Sequence, residues 1–439
     1  MKERHGKRNR TRSPEGHPAT ASRRSGKENT GTVLTSCVFI FFLLFSVGCR
    51  TDGEAGGGRS IGWDDDGMLV IDGRRIFLLG SYHLPAGEAP FAQLEREGYN
   101  YVKVPPVRAL LDKAAAHHLR TWVVTGSLHG GTAAADSSRI VALLDTLASH
   151  PALLCWETED EPAFTWRADT PRIAPEPLIR TYRLLKRIDP LHPVYTNHAP
   201  LNLVTTLRLY NPATDIVACD IYPILPRGIR PQYALNDDGR HGDLLNCYPS
   251  QVGEYVDKMK RVGEGKKPVF MVLQAFAWEM LRPPADRDTS MVLYPTYRQS
   301  RYMAWDAIVH GANGILYWGR AYTPPGTPFL SDLARVTREL ASLQAILTER
   351  DEEINFHITY HETGHSVDAG VEMILKKHGK LYYLITVNSD KNPLRVTLNG
   401  MEEFRRARVL TENRSLTIRD GALTDTYKPF DVHIYELEK

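Results

Sequence analysis

Short apolar runs alternate with longer amphipathic stretches through most of the chain. The runs fall at 75–83 (RIFLLGSYH), 99–105, 119–126, 152–158, 193–198, 215–222, 268–275 and 311–319 (GANGILYWG), each read as a strand. Helical patterns lie between them at 90–98, 107–118, 137–149, 176–189, 201–209, 249–262 and 296–310, and 329–349 closes the series. In 176–189, Leu178, Tyr182, Leu185 and Ile188 recur at helical spacing, which turns Arg180, Arg183 and Arg187 outward. Eight strand-then-helix units over about 270 residues predict a (β/α)8 TIM barrel. Strands covered on both faces should be apolar nearly throughout, as 268–273 (PVFMVL) is. A doubly wound open sheet would favour a glycine-rich turn after the first strand, and Gly80-Ser81-Tyr82-His83 is not that.

Two further patterns bracket the barrel. At 68–79 (MLVIDGRRIFLL), apolar runs flank Asp72-Gly73, a hairpin signal whose first strand is read as a lid on the barrel bottom. After Glu349 the period shortens to alternation at 372–377, 380–388, 394–398, 408–410 and 432–437. Turn residues at Gly379 and Asp390-Lys391-Asn392 separate the first three of these. This predicts a small antiparallel β-sandwich over 350–439, behind a barrel with its hairpin over 62–349.

Charge divides the chain differently. Residues 1–30 carry nine Lys/Arg against three Asp/Glu, and 31–49 carry no charge, so the rest holds 45 basic and 49 acidic side chains. A slightly acidic body argues against a nucleic-acid partner. The basic leader (1–31), the apolar segment 32–49 and the flexible spacer 50–61 follow the order of an export signal or membrane anchor. Ser46-Val47-Gly48-Cys49 resembles a bacterial lipoprotein cleavage box, with Ser46 where such boxes usually carry Leu; the resemblance makes Cys49 the lipidated residue. The expected location is the cell envelope, with the N-terminal segment as the membrane contact. Cys155, Cys219 and Cys247 in the body lack C-x-x-C spacing; Cys155 and Cys219 fall inside predicted strands and read as core residues, with one bridge open among the three.

In a TIM barrel the carboxyl ends of the strands build the active site. That rule selects His83 after strand one, Lys103 on strand two, and Trp156, Glu157, Glu159, Asp160 and Glu161 at strand four. It also selects Asn197 and His198 on strand five, Asp220 and Tyr222 on strand six, Gln274 with Trp278 and Glu279 on strand seven, and Trp318 on strand eight. Rings that stack on a sugar face, beside groups that bond its hydroxyls, suit a carbohydrate ligand. Crowded carboxylates at strand four repel one another, which favours a protonated acid near neutrality. Neither H-x-H on strand one nor H-E-x-x-H occurs, so no metal and no cofactor is expected. Long loops at 223–248 and 278–294 rise from the same face, the second carrying Arg282 and Arg287.

Asp160-Glu161-Pro162 after strand four resembles the Asn-Glu-Pro of the clan of retaining (β/α)8 glycosidases that includes cellulase-like and β-galactosidase-like families. Trp318 in ILYWG resembles that clan's sugar platform. The resemblance implies Glu161 as general acid/base. It also implies a nucleophilic Glu at the end of strand seven, where this chain has Gln274, and an amide cannot form the glycosyl ester. Three arrangements then remain: Glu279 reaching in from its loop, Asp220 acting as base for a water opposite Glu161, or a barrel that binds glycan without cutting it. The second needs carboxyls about 6.5–9.5 Å apart.

Overall fold

The computed structural model describes residues 59–129, 133–165, 168–226, 228–229, 232–233, 242–243, 246–362 and 364–439. The basic leader, the apolar segment with Cys49 and most of the spacer lie outside the described residues, as does much of the 223–248 loop.

The predicted strands form a closed parallel barrel. Its strands are β1 (Leu78–Ser81), β2 (Tyr101–Lys103), β3 (Arg120–Val124), β4 (Leu153–Glu157), β5 (Val194–His198), β6 (Ile216–Asp220), β7 (Val269–Gln274) and β8 (Gly314–Trp318). Closure is made by β8 pairing with β1 from Gly314↔Leu78 to Tyr317↔Ser81. The intervening helices are α1 (Pro90–Arg96), α2 (Arg108–Ala116), α3 (Ala133–Leu147), α4 (Pro175–Ile188), α5 (Val204–Arg208), α6 (Gln251–Val262), α7 (Tyr297–Val309) and α8 (Pro328–Ser342). Helix α4 buries Leu178, Thr181, Leu184 and Leu185 on one face, as its spacing requires. A capping box between Thr296 and Gln299 starts α7. Helix α5 is shorter than its pattern predicts. Lys258 Nζ takes the carbonyls of Pro200 (2.8 Å) and Asn202 (2.6 Å), which a longer helix would have used itself.

The Asp72-Gly73 hairpin forms, with both residues left-handed (φ 49° and 76°), as a two-residue turn between strands requires. A third strand, Ile61–Trp63, pairs with its outer edge. Leu69 and Ile71 from this sheet join the apolar interior of the barrel with Leu78 and Phe270. The Trp63 ring meets Phe270 edge-on at 6.3 Å. Phe270 sits near the amino end of β7, so the sheet covers that end of the barrel and leaves the carboxyl end as its mouth.

The C-terminal domain is a β-sandwich of six strands facing three. Along Leu381–Asn388 and Val432–Glu438 the two faces divide by alternation. Leu384, Tyr435 and Leu437 enter the sandwich core, whereas Ile385, Val387, Val432 and Ile434 pack into the barrel's own core. Arg301 on α7 pins this seam, donating to the Val432 carbonyl (2.7 Å) while ion-paired with Glu339 (2.9 Å). Strands at His357–His361, Arg414–Thr417 and Ala422–Tyr427 escape the sequence pattern. They are edge or outer strands whose exposed residues dilute the apolar signal.

Candidate functional site

Side chains at the carboxyl ends alternate inward and outward, and register decides which are which. On β4 a bulge settles the matter: Thr121 pairs with Leu153 but the next residue, Trp122, pairs with Cys155. Leu154 is the extra residue, and both Leu154 and Cys155 belong to the interior cluster. Past the bulge Trp156 points out and Glu157 points in. Trp156 is fully buried against the helices, its Nε1 donating to Asp189 Oδ2 (2.7 Å), so this predicted sugar contact is not at the mouth.

Glu157 lies in the barrel throat. Lys103 Nζ is 2.6 Å from its Oε2, and Trp122 Nε1 donates to the same oxygen at 3.0 Å. Burial pushes this carboxyl up against the opposing pull of Lys103. Below the pair, the hydroxyls of Tyr82 and Tyr195 meet at 2.6 Å. The strand-end rule reaches Tyr82, at the end of strand one, but not Tyr195; strand parity is the signal that places both inward.

Above the throat sits an acidic group with Asn197 at its centre. Asn197 Nδ2 donates to Asp160 Oδ1 (3.0 Å) and to Asp220 Oδ1 (3.2 Å). Glu161 is held in left-handed backbone (φ 45°), with its N–H donating to the Asn197 carbonyl at 3.0 Å. A glutamate there is strained, and the turn aims its side chain at β6. Its carboxyl comes within hydrogen-bonding reach of that of Asp220. Burial, then the charges of Glu161 and Asp160, push Asp220 well above the usual carboxylate range. Glu161 is also raised, by burial and by Asp160, with Arg172 3.8 Å away as a weak counter. The Glu161 charge and the hydrogen bond between the two carboxyls both act to keep Asp220 protonated. Crowding of this kind favours one proton kept between two carboxyls.

Strand seven contributes differently. Gln274 is fully buried, and its amide is engaged by backbone: Nε2 donates to the Ile224 and Phe276 carbonyls, and Oε1 accepts from Ile224 N, all at 3.0 Å. It clips the chain beyond β6 onto the end of β7. Glu279 is buried in its own loop, accepting from Asp288 N at 2.7 Å and lying 3.7 Å from Arg282. Glu159 accepts from Ser127 Oγ at 2.8 Å. His198 faces outward from β5, its ring against Tyr210 (5.8 Å) rather than toward the mouth. Burial and Lys258 lower its pKa to about 3.

One side of the mouth is aromatic. Trp318 stacks on Tyr222 (5.7 Å) and touches Phe276, Tyr322 and His83 at 5.0, 5.3 and 5.6 Å. Trp278 packs on Phe276 and donates to the Tyr222 carbonyl at 3.2 Å. Burial and the Lys103 charge lower His83 to about 4, so it is neutral at neutral pH. Its Nδ1 accepts from Gly319 N at 3.3 Å, which leaves the Nε2–H to donate. Tyr322, 43% exposed, was missed in sequence because it lies in the turn after β8. It also lines a cavity of about 760 Å³ with Leu84, Met280, Arg287 and Arg320.

Solved structures share this architecture. The α-amylase of Anoxybacillus superposes with a TM-score of 0.52 at 9% identity, over 82% of this chain and 97% of that one. The α-amylase of Geobacillus thermoleovorans, in complex with acarbose, gives 0.52 at 9% identity over 83% and 100%. A GH30 endoxylanase from Clostridium papyrosolvens gives 0.46 at 11% identity over 83% and 97%. Neither a protein-family model nor a curated protein matches the sequence. What the likeness to the two α-amylases establishes is the fold: a (β/α)8 barrel followed by a β-sandwich.

Proposed function

We propose that the chain is a glycoside hydrolase-like enzyme acting on a glycan, with Glu161 as the general acid. The observation that carries this reading is the gathering of Asp160, Glu161 and Asp220 around Asn197 at the mouth, where burial raises both Glu161 and Asp220. Glu161 passes the pair's one proton to the leaving glycosidic oxygen as the C–O bond breaks, which leaves both carboxylates charged. Water then adds to the anomeric carbon and returns a proton to the pair, which restores the starting state. Trp318, Tyr222 and Tyr322 supply faces for sugar rings, and His83 supplies a donor.

A second reading, glycan binding without turnover, is favoured by Gln274 and Glu279. Gln274 is held by three backbone hydrogen bonds and Glu279 by Asp288, so strand seven offers no free carboxylate opposite Glu161. A panel of glycans separates the two. The first reading expects turnover that Glu161→Gln abolishes with folding intact. Binding without turnover, kept in Glu161→Gln, selects the second. Turnover unchanged in that variant rejects Glu161 as the acid.

We infer from the N-terminal sequence that the protein is exported and held at the membrane through segment 32–49, by Cys49 lipidation or as an anchor. Cell fractionation of the parent and Cys49→Ala tests this. Release of the variant to the soluble fraction marks lipidation, retention marks an anchor, and a soluble cytoplasmic parent rejects both.

A further inference from the structure

Far along the chain from the acidic mouth residues, the seam between barrel and sandwich gathers a second set of charged groups. Asp306 and His310 lie one turn apart at the end of α7, and Glu372 comes from the sandwich strand Val371–His378. His310 Nε2 is 3.1 Å from Glu372 Oε2 and 3.8 Å from Asp306 Oδ1. One oxygen or nitrogen from each of the three lies within 4.8 Å of the other two. Donors bonded at about 2.0–2.1 Å to a tetrahedral zinc stand roughly 3.3 Å apart, so small side-chain movements suffice to enclose an ion.

Each of the three groups is oriented from behind. His310 Nδ1 meets Asp257 Oδ2 at 2.9 Å, the outer carboxylate that commonly fixes a metal-binding imidazole. Gly253 N donates to Asp306 Oδ2 at 2.7 Å, and Tyr302 OH to Asp306 Oδ1 at 2.9 Å. Ser389 Oγ donates to Glu372 Oε2 at 2.6 Å. An independent feature shapes the pocket. A Cβ on Gly253 would fall 2.4 Å from His310 Nε2, so the imidazole occupies the space that a side chain on α6 would fill. Glycine inside a helix costs about 1 kcal/mol against alanine, and here its absent side chain is what admits the ring.

We propose that the seam is a divalent-cation site, best matched to zinc. His310 Nε2 and one oxygen each from Asp306 and Glu372 are the ligands, water is the fourth, and Asp257 orients the imidazole. The ion displaces the proton of Nε2 to solvent and ties the sandwich to the barrel through one ligand from the first and two from the second. Nitrogen with two carboxylates suits zinc better than calcium or magnesium, which prefer all-oxygen shells.

The test uses untagged full-length protein stripped with a chelator and titrated with zinc chloride by calorimetry, with melting temperature as a second readout. The expected result is one zinc per chain beyond any bound by the leader, together with a higher melting temperature. Glu372→Gln removes that equivalent, Asp257→Asn weakens it about 10–100-fold, and Gly253→Ala weakens it by displacing the ring. Glu372 is partly exposed, so Glu372→Gln should stay folded, as circular dichroism checks. Zinc uptake and melting shift unchanged in folded Glu372→Gln and His310→Asn, or no uptake by the parent, would overturn the site and leave a plain imidazolium clamp.

Discussion

The mouth and the barrel–sandwich seam both crowd carboxylates, yet they relieve the crowding by different means. At the seam, His310 bonds Asp257 and Glu372. Burial alone would lower this histidine, but those two hydrogen bonds and Asp306 carry it to about 10, so a cation sits among the acids. Among the described residues at the mouth, Lys103 pairs with Glu157 in the throat and the exposed Arg172 lies 3.8 Å from Glu161. Asp220 accepts from Asn197 and faces Glu161, and the proposed shared proton takes the place of a strong counter-ion. Positive charge set among the carboxylates, as imidazolium or as a metal ion in the place of its Nε2 proton, suits a joint. Two carboxyls sharing a proton hold a labile acid and suit chemistry.

The largest effect that bears on this contrast is on turnover. Glu161→Gln keeps the shape and removes the acid, and should lower kcat by about 10²–10⁴-fold on any glycan the parent cleaves. Next comes Lys103→Met, which leaves the fully buried Glu157 without its cation. Urea unfolding should show a loss of about 3–5 kcal/mol, and a loss below about 1 kcal/mol would mean that Glu157 is neutral in the parent. Gln274→Glu would set carboxylate oxygens against the carbonyls of Ile224 and Phe276. It should cost about 1–3 kcal/mol and create no new activity; a gain in turnover would show that the side chain can leave its clip and serve as nucleophile.

The smallest effect is the most specific to the shared proton. Asp220 has a folded pKa above its unfolded value, so its contribution to stability is greatest below the unfolded pKa and is lost as pH rises through the folded one. Asp220→Asn escapes that loss. Its melting temperature should exceed the parent's by roughly 1–2 °C at pH 8, with the gap narrowing toward pH 4. A gap that is constant with pH would remove the shared proton from the comparison.

Much of this was legible because it is local. The eight alternations, the Asp72-Gly73 turn and the switch to two-residue period after Glu349 each follow from neighbours in sequence. The rule that strand ends carry chemistry then chose the mouth: Asn197 joins Asp220 to Glu161 there, Tyr222 and Trp318 stack on each other, and Lys103 lies deeper on Glu157. It overreached at Trp156 and His198, which point outward, and at Glu279, which turns into its own loop.

The sequence alone determined a parallel barrel with an acidic carboxyl end, since hydrophobic period and strand-end composition are properties of short segments. Which of Trp156 and Glu157 faces the throat was decided by one extra residue opposite β3, and a single-residue slip reverses every side chain beyond it. Gln274's clip to Ile224 and the meeting of His310 with Glu372, 62 residues apart, likewise exist only after closure. Such contacts join segments that carry no mark of each other, so pairing across the fold had to choose them.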